Sequence, residues 1–321
     1  MSPIVAQYYT EEILREACSA YGLQAAKTQL IRDNSNLIFD AGPTILRLSH
    51  SAIRTYQDIE VELDFIHFLQ QQSLPVVQIQ TTVSGQLYHR IPAREGHFTA
   101  VAFDRIEGHR VTAEEWTSQH FELLGQVNAQ FHKVSLDYQQ KSDLSYLHWD
   151  EIIEHKVHSN LFELDSTFGE AYTKVIAHLS DLPKSPQNYG IIHYDIHHGN
   201  YLLTPGKVSP FKVFDFEMTC LSWFVNDACT TIHYATKFPN QGDQDAYEKV
   251  LIEYFWKGYD SLFSISDEEK ATLPYWLLYR DLMVYGYIYK MWKGTTKMEA
   301  NTRFLEKTRQ SVRRRIAKVG W

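Results

Sequence analysis

Two spacings of apolar residues alternate in the first part of the chain. Short apolar runs bounded by turn-forming residues predict strands at 28–31, 37–40 and 44–48. Apolar side chains then recur every three or four positions from Ile59 to Leu69, which predicts a helix extending to about residue 72. This early part of the chain therefore combines a small sheet with a helix.

Elements on either side extend this pattern. A helix is predicted from Thr10 to Tyr21, because Thr10 can cap it and Gly22 can end it. Further extended segments are predicted at 74–80, 87–91 and 98–106. We expect residues 1–102 to form an N-terminal lobe around an antiparallel sheet.

After Gly108 the pattern becomes mainly helical. Thr112–Glu115 has the composition of a capping box, which predicts that a helix begins there. Further helices are predicted near 149–180, 244–258, 268–292 and 300–318, with a short strand pair at 201–204 and 211–215. The predicted fold class is α+β, with a larger, mainly helical C-terminal lobe at 103–321.

Composition restricts the classes of partner. A chain of 321 residues with 44% apolar and 22% charged residues is typical of a globular protein, and its length suits two lobes. The net charge of −8 disfavours nucleic acid as a partner. No apolar run is long enough for a membrane span and no secretory signal is visible, so the expected location is the cytoplasm.

A cluster of polar residues follows a short apolar pair. Asp195 and Asn200 are five positions apart, and Asp215 comes after the next pair of predicted strands. Phosphoryl transfer needs a carboxylate that orients the attacking hydroxyl and oxygen ligands for a magnesium ion. The pattern H-x-D-x-x-x-x-N with a later Asp-Phe matches the kinase catalytic loop and its metal-binding aspartate.

The same segment resembles the aminoglycoside phosphotransferase and choline kinase-like superfamily. The matching residues are His193, Asp195, His197, Gly199, Asn200, Asp215, Phe216 and Glu217, followed by Asn226-Asp227-Ala228. Tyr194 stands where that superfamily usually has glycine. The resemblance implies a two-lobed, protein-kinase-like fold, ATP and Mg²⁺ as cofactors, and a hydroxyl of a small molecule as acceptor. It implies Asp195 as the catalytic base and Asn200 and Asp215 as metal ligands.

The resemblance extends to the nucleotide site in the first lobe. Arg47 stands where protein kinases have a phosphate-binding lysine, and Glu62 is similar to the glutamate that pairs with it. A phosphate-covering turn is implied at Ser35 and Asn36. The backbone of Ala102, Phe103 and Arg105 is implied as the contact for adenine.

Alternatives remain open from the sequence. His193, His197 and His198 can instead form a transition-metal site. A protein Ser/Thr kinase is disfavoured because no A-P-E segment follows Asp215, and a catalytically weak nucleotide-binding module is the remaining alternative. The acceptor can be an aminoglycoside, an amino alcohol such as choline or homoserine, or a sugar derivative.

Overall fold

The chain divides into two compact units in a computed structural model that describes residues 3–151, 160–204, 210–238 and 243–321. The first unit contains Met1–Arg110, Gln139–Tyr146 and Tyr201–Glu217. The second unit contains Val111–Tyr138, Leu147–Asn200 and Met218–Trp321.

Helices and strands are numbered in chain order over the described residues. The helices are α1 Pro3–Tyr8, α2 Glu11–Ala20, α3 Tyr56–Gln71, α4 Ser118–Ser135, α5 Ser166–Ser180, α6 Phe224–Lys237, α7 Gln244–Asp260, α8 Asp267–Lys270, α9 Leu273–Trp292, α10 Thr296–Ala300 and α11 Thr302–Lys318, with a short 3₁₀ helix at Ala25–Lys27. The strands are β1 Gln29–Asp33, β2 Asn36–Asp40, β3 Thr44–His50, β4 Ile79–Gln80, β5 His89–Pro92, β6 His97–Asp104, β7 Tyr189–Ile192, β8 Tyr201–Leu203, β9 Phe211–Val213 and β10 Cys220–Trp223.

The first unit is organised by an antiparallel sheet. Its strands lie in the order β1, β2, β3 and β6, and both β4 and β5 pair with the far side of β6. A separate pair, β8 and β9, also belongs to this unit. The predicted antiparallel sheet near the N-terminus is therefore confirmed, as is the later strand pair.

The alternation of side chains along β3 explains how the sheet separates a core from a cavity. Leu46 and Leu48 are wholly buried in an apolar core that also contains Leu14 of α2. Ile45 and Arg47, one residue out of phase, line a cavity instead. Because successive side chains on a strand point to opposite faces, Arg47 is directed into the cavity while its neighbours Leu46 and Leu48 enter the core.

Helix α3 supports the cavity and matches its predicted pattern. Thr55 caps the helix and forms a reciprocal capping box with Asp58. The apolar residues at helical spacing from Ile59 to Leu69 are all buried, which confirms the prediction. Glu62 is buried on this helix as well, with 1% of its surface exposed.

The second unit is mainly helical around a two-stranded sheet. Strands β7 and β10 pair antiparallel, with Ile192 opposite Cys220. The loop 193–200 follows β7, and α6 follows β10 directly. The predicted combination of a sheet-containing unit and a mainly helical unit is confirmed. None of the described helices meets the length and hydropathy needed to span a membrane.

Several boundaries in the second unit differ from those expected. The helix predicted to begin at Thr112 begins at Ser118, with Thr117 as its cap. Thr112 does donate its backbone N–H to Glu115, at 2.9 Å, but this contact closes a turn before the helix. The described part of the predicted helix at 149–180 contains α5, while residues 152–159 lie outside the described residues.

Helix α6 was not predicted, because nothing in the local sequence marks where β10 ends and the helix begins. The helix follows β10 without a turn residue, and Trp223 at its N-terminus provides no side-chain cap. Nearly all of its residues are buried. A helix buried on most sides cannot be distinguished from other apolar segments by periodicity.

Helices α4 and α7 approach so closely that glycine is required on both. A Cβ atom added at Gly125 of α4 would lie 2.0 Å from the carbonyl oxygen of Phe255. A Cβ atom added at Gly258 of α7 would lie 1.9 Å from the carbonyl oxygen of Glu122. Both obstacles are backbone atoms, so a side-chain rotation cannot relieve either clash.

We expect Gly125→Ala to destabilise the protein by about 3 kcal/mol, because the two helices must separate to admit the methyl group. Urea denaturation monitored by circular dichroism measures this change. Gln130→Ala, at a half-buried position of the same helix, is the control and should change the free energy of unfolding by less than about 0.5 kcal/mol. Equal stability of Gly125→Ala and the wild type would contradict the close packing.

Candidate active site

The first unit contains a cavity of about 530 Å³. Apolar side chains and both signs of charge line it: Ile31, Arg32, Ser35, Asn36, Ile38, Ile45, Arg47, Glu62, Ile66, Val77, Phe103, Asp104, Arg105, Ile106, Arg110, Leu202, Phe214, Asp215 and Glu217. A pocket that combines an apolar lining with a few convergent charged groups is typical of a site for a small molecule or cofactor.

A two-pronged ion pair connects β3 to α3 at this cavity. Arg47 donates from both terminal nitrogens to the two carboxylate oxygens of Glu62, each at 2.8 Å. Arg54 donates to the same carboxylate at 2.8 Å. One buried carboxylate thus binds two guanidinium groups, a geometry that the planar fork of arginine suits.

Burial and the neighbouring charges have opposite effects on the pKa of Glu62. Burial would raise the pKa of this carboxyl group, but the charges of Arg47 and Arg54 and their hydrogen bonds outweigh it and lower the pKa to about 2. Glu62 is therefore ionised in the folded protein at neutral pH.

Asn36 and Glu217 extend this network. Asn36 donates its amide hydrogen to Glu217 and accepts a hydrogen bond from Ser49 at 2.6 Å. Arg47 lies 3.6 Å from the carboxylate of Glu217. Burial raises the pKa of Glu217, with the neighbouring carboxylates Asp215 and Glu62 adding to the rise and Arg54 and Arg47 opposing it.

The other residues predicted for the nucleotide site are divided between the cavity and the apolar core. Ser35 lies in the turn between β1 and β2 and lines the cavity, as do Phe103 and Arg105. Ala102 is wholly buried in β6 and belongs to the apolar core on the other face of the sheet. Arg105 contacts the Asp40 carboxylate at 2.6 Å.

Asp215 lines the same cavity from the end of β9. Its backbone has a φ of 67°, in the left-handed region that non-glycine residues seldom occupy. Its carboxylate lies 3.7 Å from Arg32. Strain at a single polar residue that faces a cavity is a common property of functional sites.

In the second unit, the loop after β7 is held by one buried carboxylate. Asp227, in the first turn of α6, accepts the backbone N–H of Tyr194 at 2.8 Å and that of His193 at 3.3 Å. His132 of α4 lies 3.1 Å from the same carboxylate. Asp227 is wholly buried, so these contacts replace the water that it loses.

Tyr194 stands where the superfamily usually has glycine, and its backbone conformation explains why glycine is usual there. Its φ is 66°, a conformation that glycine adopts without steric cost. Its side chain is wholly buried and its hydroxyl lies 3.2 Å from that of Tyr279. Burial of a large ring offsets the backbone strain here.

Asp195 has three side-chain partners. Arg280 of α9 donates to Oδ1 at 2.8 Å, Asn200 donates to Oδ2 at 3.0 Å, and His197 lies 3.5 Å from Oδ2. Burial would raise the pKa of Asp195, but the hydrogen bond from His197 and the charge of Arg280 outweigh it, so the pKa lies below its ordinary value.

Asn200 and the histidines of the loop are also engaged. Asn200 donates its side-chain amide to the backbone carbonyl of Asp195 as well, at 3.0 Å. His193 accepts the backbone N–H of Asp195 at 3.2 Å, and His197 accepts that of Gly199 at 2.8 Å. Over the described residues, no group of three or more side chains suited to a metal ion was found.

Two arginines of these sites were not identified from the sequence. Arg54 follows β3 in a turn, and no pattern marks it. Arg280 and Asp281 interrupt an otherwise apolar helix, and both are buried. A charged pair inside an apolar segment indicates buried partners, because arginine and aspartate are seldom buried unpaired. This signal was available, although it does not specify the partner.

Comparison with known proteins identifies the family. The model of the phosphotransferase enzyme family matches residues 28–262. Amicoumacin kinase of Bacillus subtilis (strain 168) is 24% identical over 313 residues, which cover 95% of this chain and 92% of that protein. An uncharacterised protein of Synechocystis is 26% identical over 236 residues, which cover 71% of this chain and 62% of that protein.

Solved structures agree with this match. An amicoumacin kinase in complex with AMP-PNP, Ca²⁺ and Ami has a TM-score of 0.89 at 24% identity, over 97% of this chain and 96% of that one. A microcompartment-associated aminopropanol kinase has a TM-score of 0.76 at 19% identity, over 94% and 95%. A spectinomycin phosphotransferase has a TM-score of 0.59 at 17% identity, over 93% and 94%.

The chain belongs to the phosphotransferase enzyme family, whose model matches most of its length. Its fold is protein-kinase-like, which confirms the fold expected from the resemblance. It is an ATP-dependent kinase with a hydroxyl of a small molecule as acceptor, so that the predicted activity is also confirmed. The amicoumacin kinase of similar fold was solved with a nucleotide analogue and Ca²⁺ bound.

We expect Glu62→Gln to reduce the free energy of unfolding by about 3 kcal/mol at pH 7, because the lowered pKa of Glu62 stabilises the folded state. This contribution is complete above about pH 4.5 and is lost as the pH falls toward about 2. The difference between variant and wild type should therefore shrink below pH 4.5 in urea denaturation. Glu16→Gln, at an exposed pair with His89, should have a small effect at every pH. A difference independent of pH would contradict this account.

Asp227→Asn should destabilise the protein by about 2 kcal/mol. The amide keeps one oxygen for a backbone N–H group but directs its own N–H toward the other, which leaves that donor unsatisfied. Thermal unfolding measures the loss, and Asp181→Asn, at an exposed position, is the matched control. A melting temperature of Asp227→Asn equal to that of the wild type would show that the loop does not depend on this carboxylate.

Proposed function

We propose that ATP binds in the cavity of the first unit. Arg47, oriented by Glu62, contacts the phosphates, and its buried Nε has no hydrogen-bond partner among the residues that the structure describes. Ser35, in the turn that precedes β2, and Asn36, the first residue of β2, cover the phosphates. An arginine already charged and held in place loses little conformational freedom when it binds phosphate.

The adenine ring is proposed to contact the strand that ends at Asp104. Of the residues predicted to contact the ring, Ala102 and Phe103 pair with β3 and β4, and the Arg105 N–H donates to the Pro43 carbonyl at 2.8 Å. The carbonyl oxygen of Arg105 is therefore the acceptor proposed for the adenine amino group. The apolar lining by Ile45, Val77 and other side chains supports this assignment, because a flat aromatic base is stabilised by apolar walls. In this proposal residues 1–102 form the nucleotide-binding lobe, with Phe214 and Asp215 contributing from later in the chain.

We propose Mg²⁺ as the divalent ion, with Asn200 and Asp215 as its ligands. Both supply oxygen, the donor that Mg²⁺ prefers. The amide nitrogen of Asn200 is bonded to Asp195, so its carbonyl oxygen is the atom available to a cation. When bound, the ion neutralises negative charge on the transferred phosphoryl group.

Asp195 is proposed to orient the acceptor hydroxyl and to accept its proton as the phosphoryl group transfers. The observation that carries this role is the fixed carboxylate, which is ionised and has both oxygens bonded. Rate enhancement then comes from positioning and from neutralised charge. Residues 103–321 form the catalytic and substrate-binding lobe in this proposal.

The proposed acceptor is a hydroxyl of an amine-bearing small molecule. Aminopropanol and the aminoglycosides, named as acceptors of similar structures, combine a cationic nitrogen with a hydroxyl, as does choline. Amicoumacin is the first acceptor to test, because amicoumacin kinase is similar over 95% of this chain. Homoserine and sugar derivatives belong in the same panel, with a peptide panel to test the protein-kinase alternative.

We expect Asp195→Ala to lower the turnover number at least about 1000-fold while the affinity for AMP-PNP stays within about threefold of the wild type. The variant removes the group that orients the hydroxyl but leaves the cavity of the first unit intact. Coupled detection of ADP measures turnover, and calorimetry measures nucleotide affinity. Asp267→Ala, at a side chain that is 98% exposed, is the control. Near-normal turnover by Asp195→Ala would refute the mechanism.

A further inference from the structure

Arg280 is a buried cation beside the proposed catalytic base. It lies on α9, 85 positions after Asp195, and its terminal nitrogen donates to Oδ1 at 2.8 Å. Only 4% of its side chain is exposed, whereas 22% of the Asp195 side chain is exposed. The arginine therefore approaches the carboxylate from the interior of the second unit, and the aspartate remains accessible.

Two tyrosine rings hold the guanidinium group. Its central carbon lies 4.8 Å from the ring centre of Tyr194 and 5.3 Å from that of Tyr234. The guanidinium group of Arg280 also lies 3.5 Å from the carbonyl oxygen of Tyr194. Ring faces attract a guanidinium group strongly when both are desolvated. The position of the cation is thus determined from two sides.

The adjacent residue fixes the helix that carries Arg280. Asp281 is wholly buried and bonds to Lys237 of α6 at 3.0 Å and to Ser311 and Arg315 of α11 at 2.7 and 3.3 Å. These contacts oppose sliding or rotation of α9. The backbone of Arg280 is therefore held in place by the contacts of Asp281, and its guanidinium group is held by the two tyrosine rings.

The effect on Asp195 follows from the geometry of a carboxylate. Rotation about its terminal bond is loosely restricted in general. Here Oδ1 is bonded to Arg280 and Oδ2 to Asn200, which fixes the plane of the group. The lone pairs that remain have a defined direction, and a positive charge adjoins the carboxylate. That charge reduces the repulsion between Asp195 and the phosphoryl group that approaches it.

We propose that Arg280, stacked on Tyr194 and Tyr234, is the residue that positions Asp195 for phosphoryl transfer. The inference rests on the proposed role of Asp195. It also gives Tyr194 a purpose, because a glycine there would remove one of the two rings that hold the guanidinium group. Arg280 is a positioning residue, since it acts on the acceptor through Asp195.

The test compares Arg280→Met, Arg280→Lys and the wild type in turnover, nucleotide affinity and crystal structure. Arg280→Met should lower the turnover number about 100-fold, because a misplaced reacting group costs about that much. The KM for ATP should stay within about threefold, since the nucleotide cavity is unchanged. Arg280→Lys should recover about tenfold, because it restores the charge without the planar stack. Arg313→Met, at a side chain that is 60% exposed, should match the wild type.

Turnover is measured with Mg²⁺–ATP and amicoumacin, and also as hydrolysis of ATP by water, which needs no identified acceptor. Crystal structures with AMP-PNP report the orientation of the Asp195 carboxylate, which should rotate or become disordered in Arg280→Met. Tyr234→Leu provides a second variant in case Arg280→Met folds poorly. Tyr234 is half-buried, and its loss should lower the turnover number about tenfold while the protein stays folded.

Each outcome decides one question. A folded Arg280→Met with wild-type turnover and an unmoved Asp195 overturns the positioning role. The positioning role is also overturned if the loss of turnover equals the fraction of unfolded protein. It is overturned as well if weaker binding of ATP accounts for the whole loss. If the wild type consumes no ATP with any acceptor or with water, the proposed function fails instead, whatever the orientation of Asp195 in the variants.

Discussion

The buried carboxylate of Asp227 is the constraint on which the catalytic loop depends. It accepts the backbone N–H groups of two successive residues, His193 and Tyr194, and so holds the chain where φ becomes positive. Asp195 and Asn200 follow this bend. The two hydrogen bonds that Asn200 donates to Asp195 require the loop to keep this conformation. Because Asp227 belongs to the first turn of α6, the start of that helix and the geometry of the loop are coupled.

The cavity of the first unit and the loop 193–200 of the second unit each contain a carboxylate that is kept ionised with the help of arginine. Glu62 binds Arg47 and Arg54, and Asp195 binds Arg280. Burial would raise the pKa of both carboxyl groups. Arg47 and Arg54 outweigh it at Glu62, and the hydrogen bond from His197 together with the charge of Arg280 outweighs it at Asp195. Such pairs contribute little net stability compared with apolar packing, so their value lies in fixed geometry.

The fold was predictable where local patterns agree with burial on one side. Helix α3 and the strands predicted at 28–31, 37–40 and 44–48 are present with nearly those bounds, whereas only Ile79–Gln80 of the extended segment predicted at 74–80 forms a strand. Helix α6 was not predicted, because it follows β10 without a turn residue or a side-chain cap that would mark its start. Thr112 shows the opposite failure, since its contact with Glu115 has the hydrogen bond of a capping box without the helix. A local bond does not reveal whether tertiary packing continues the helix.

The sequence alone predicted phosphoryl transfer, because that reaction requires a few residue types at short spacing and Asp195, Asn200 and Asp215 have that spacing. It also directed Arg47 toward the face opposite the core, through the period of two along β3. Tertiary structure decided which guanidinium groups meet the carboxylates. Arg54 lies in a turn before α3 and Arg280 lies 85 positions after Asp195, and neither carries a local signal of its partner. Packing of the surrounding elements brings each arginine to its carboxylate. Tyr194, which replaces the usual glycine of the motif, is explained only by the tertiary structure, where its ring lies against Arg280.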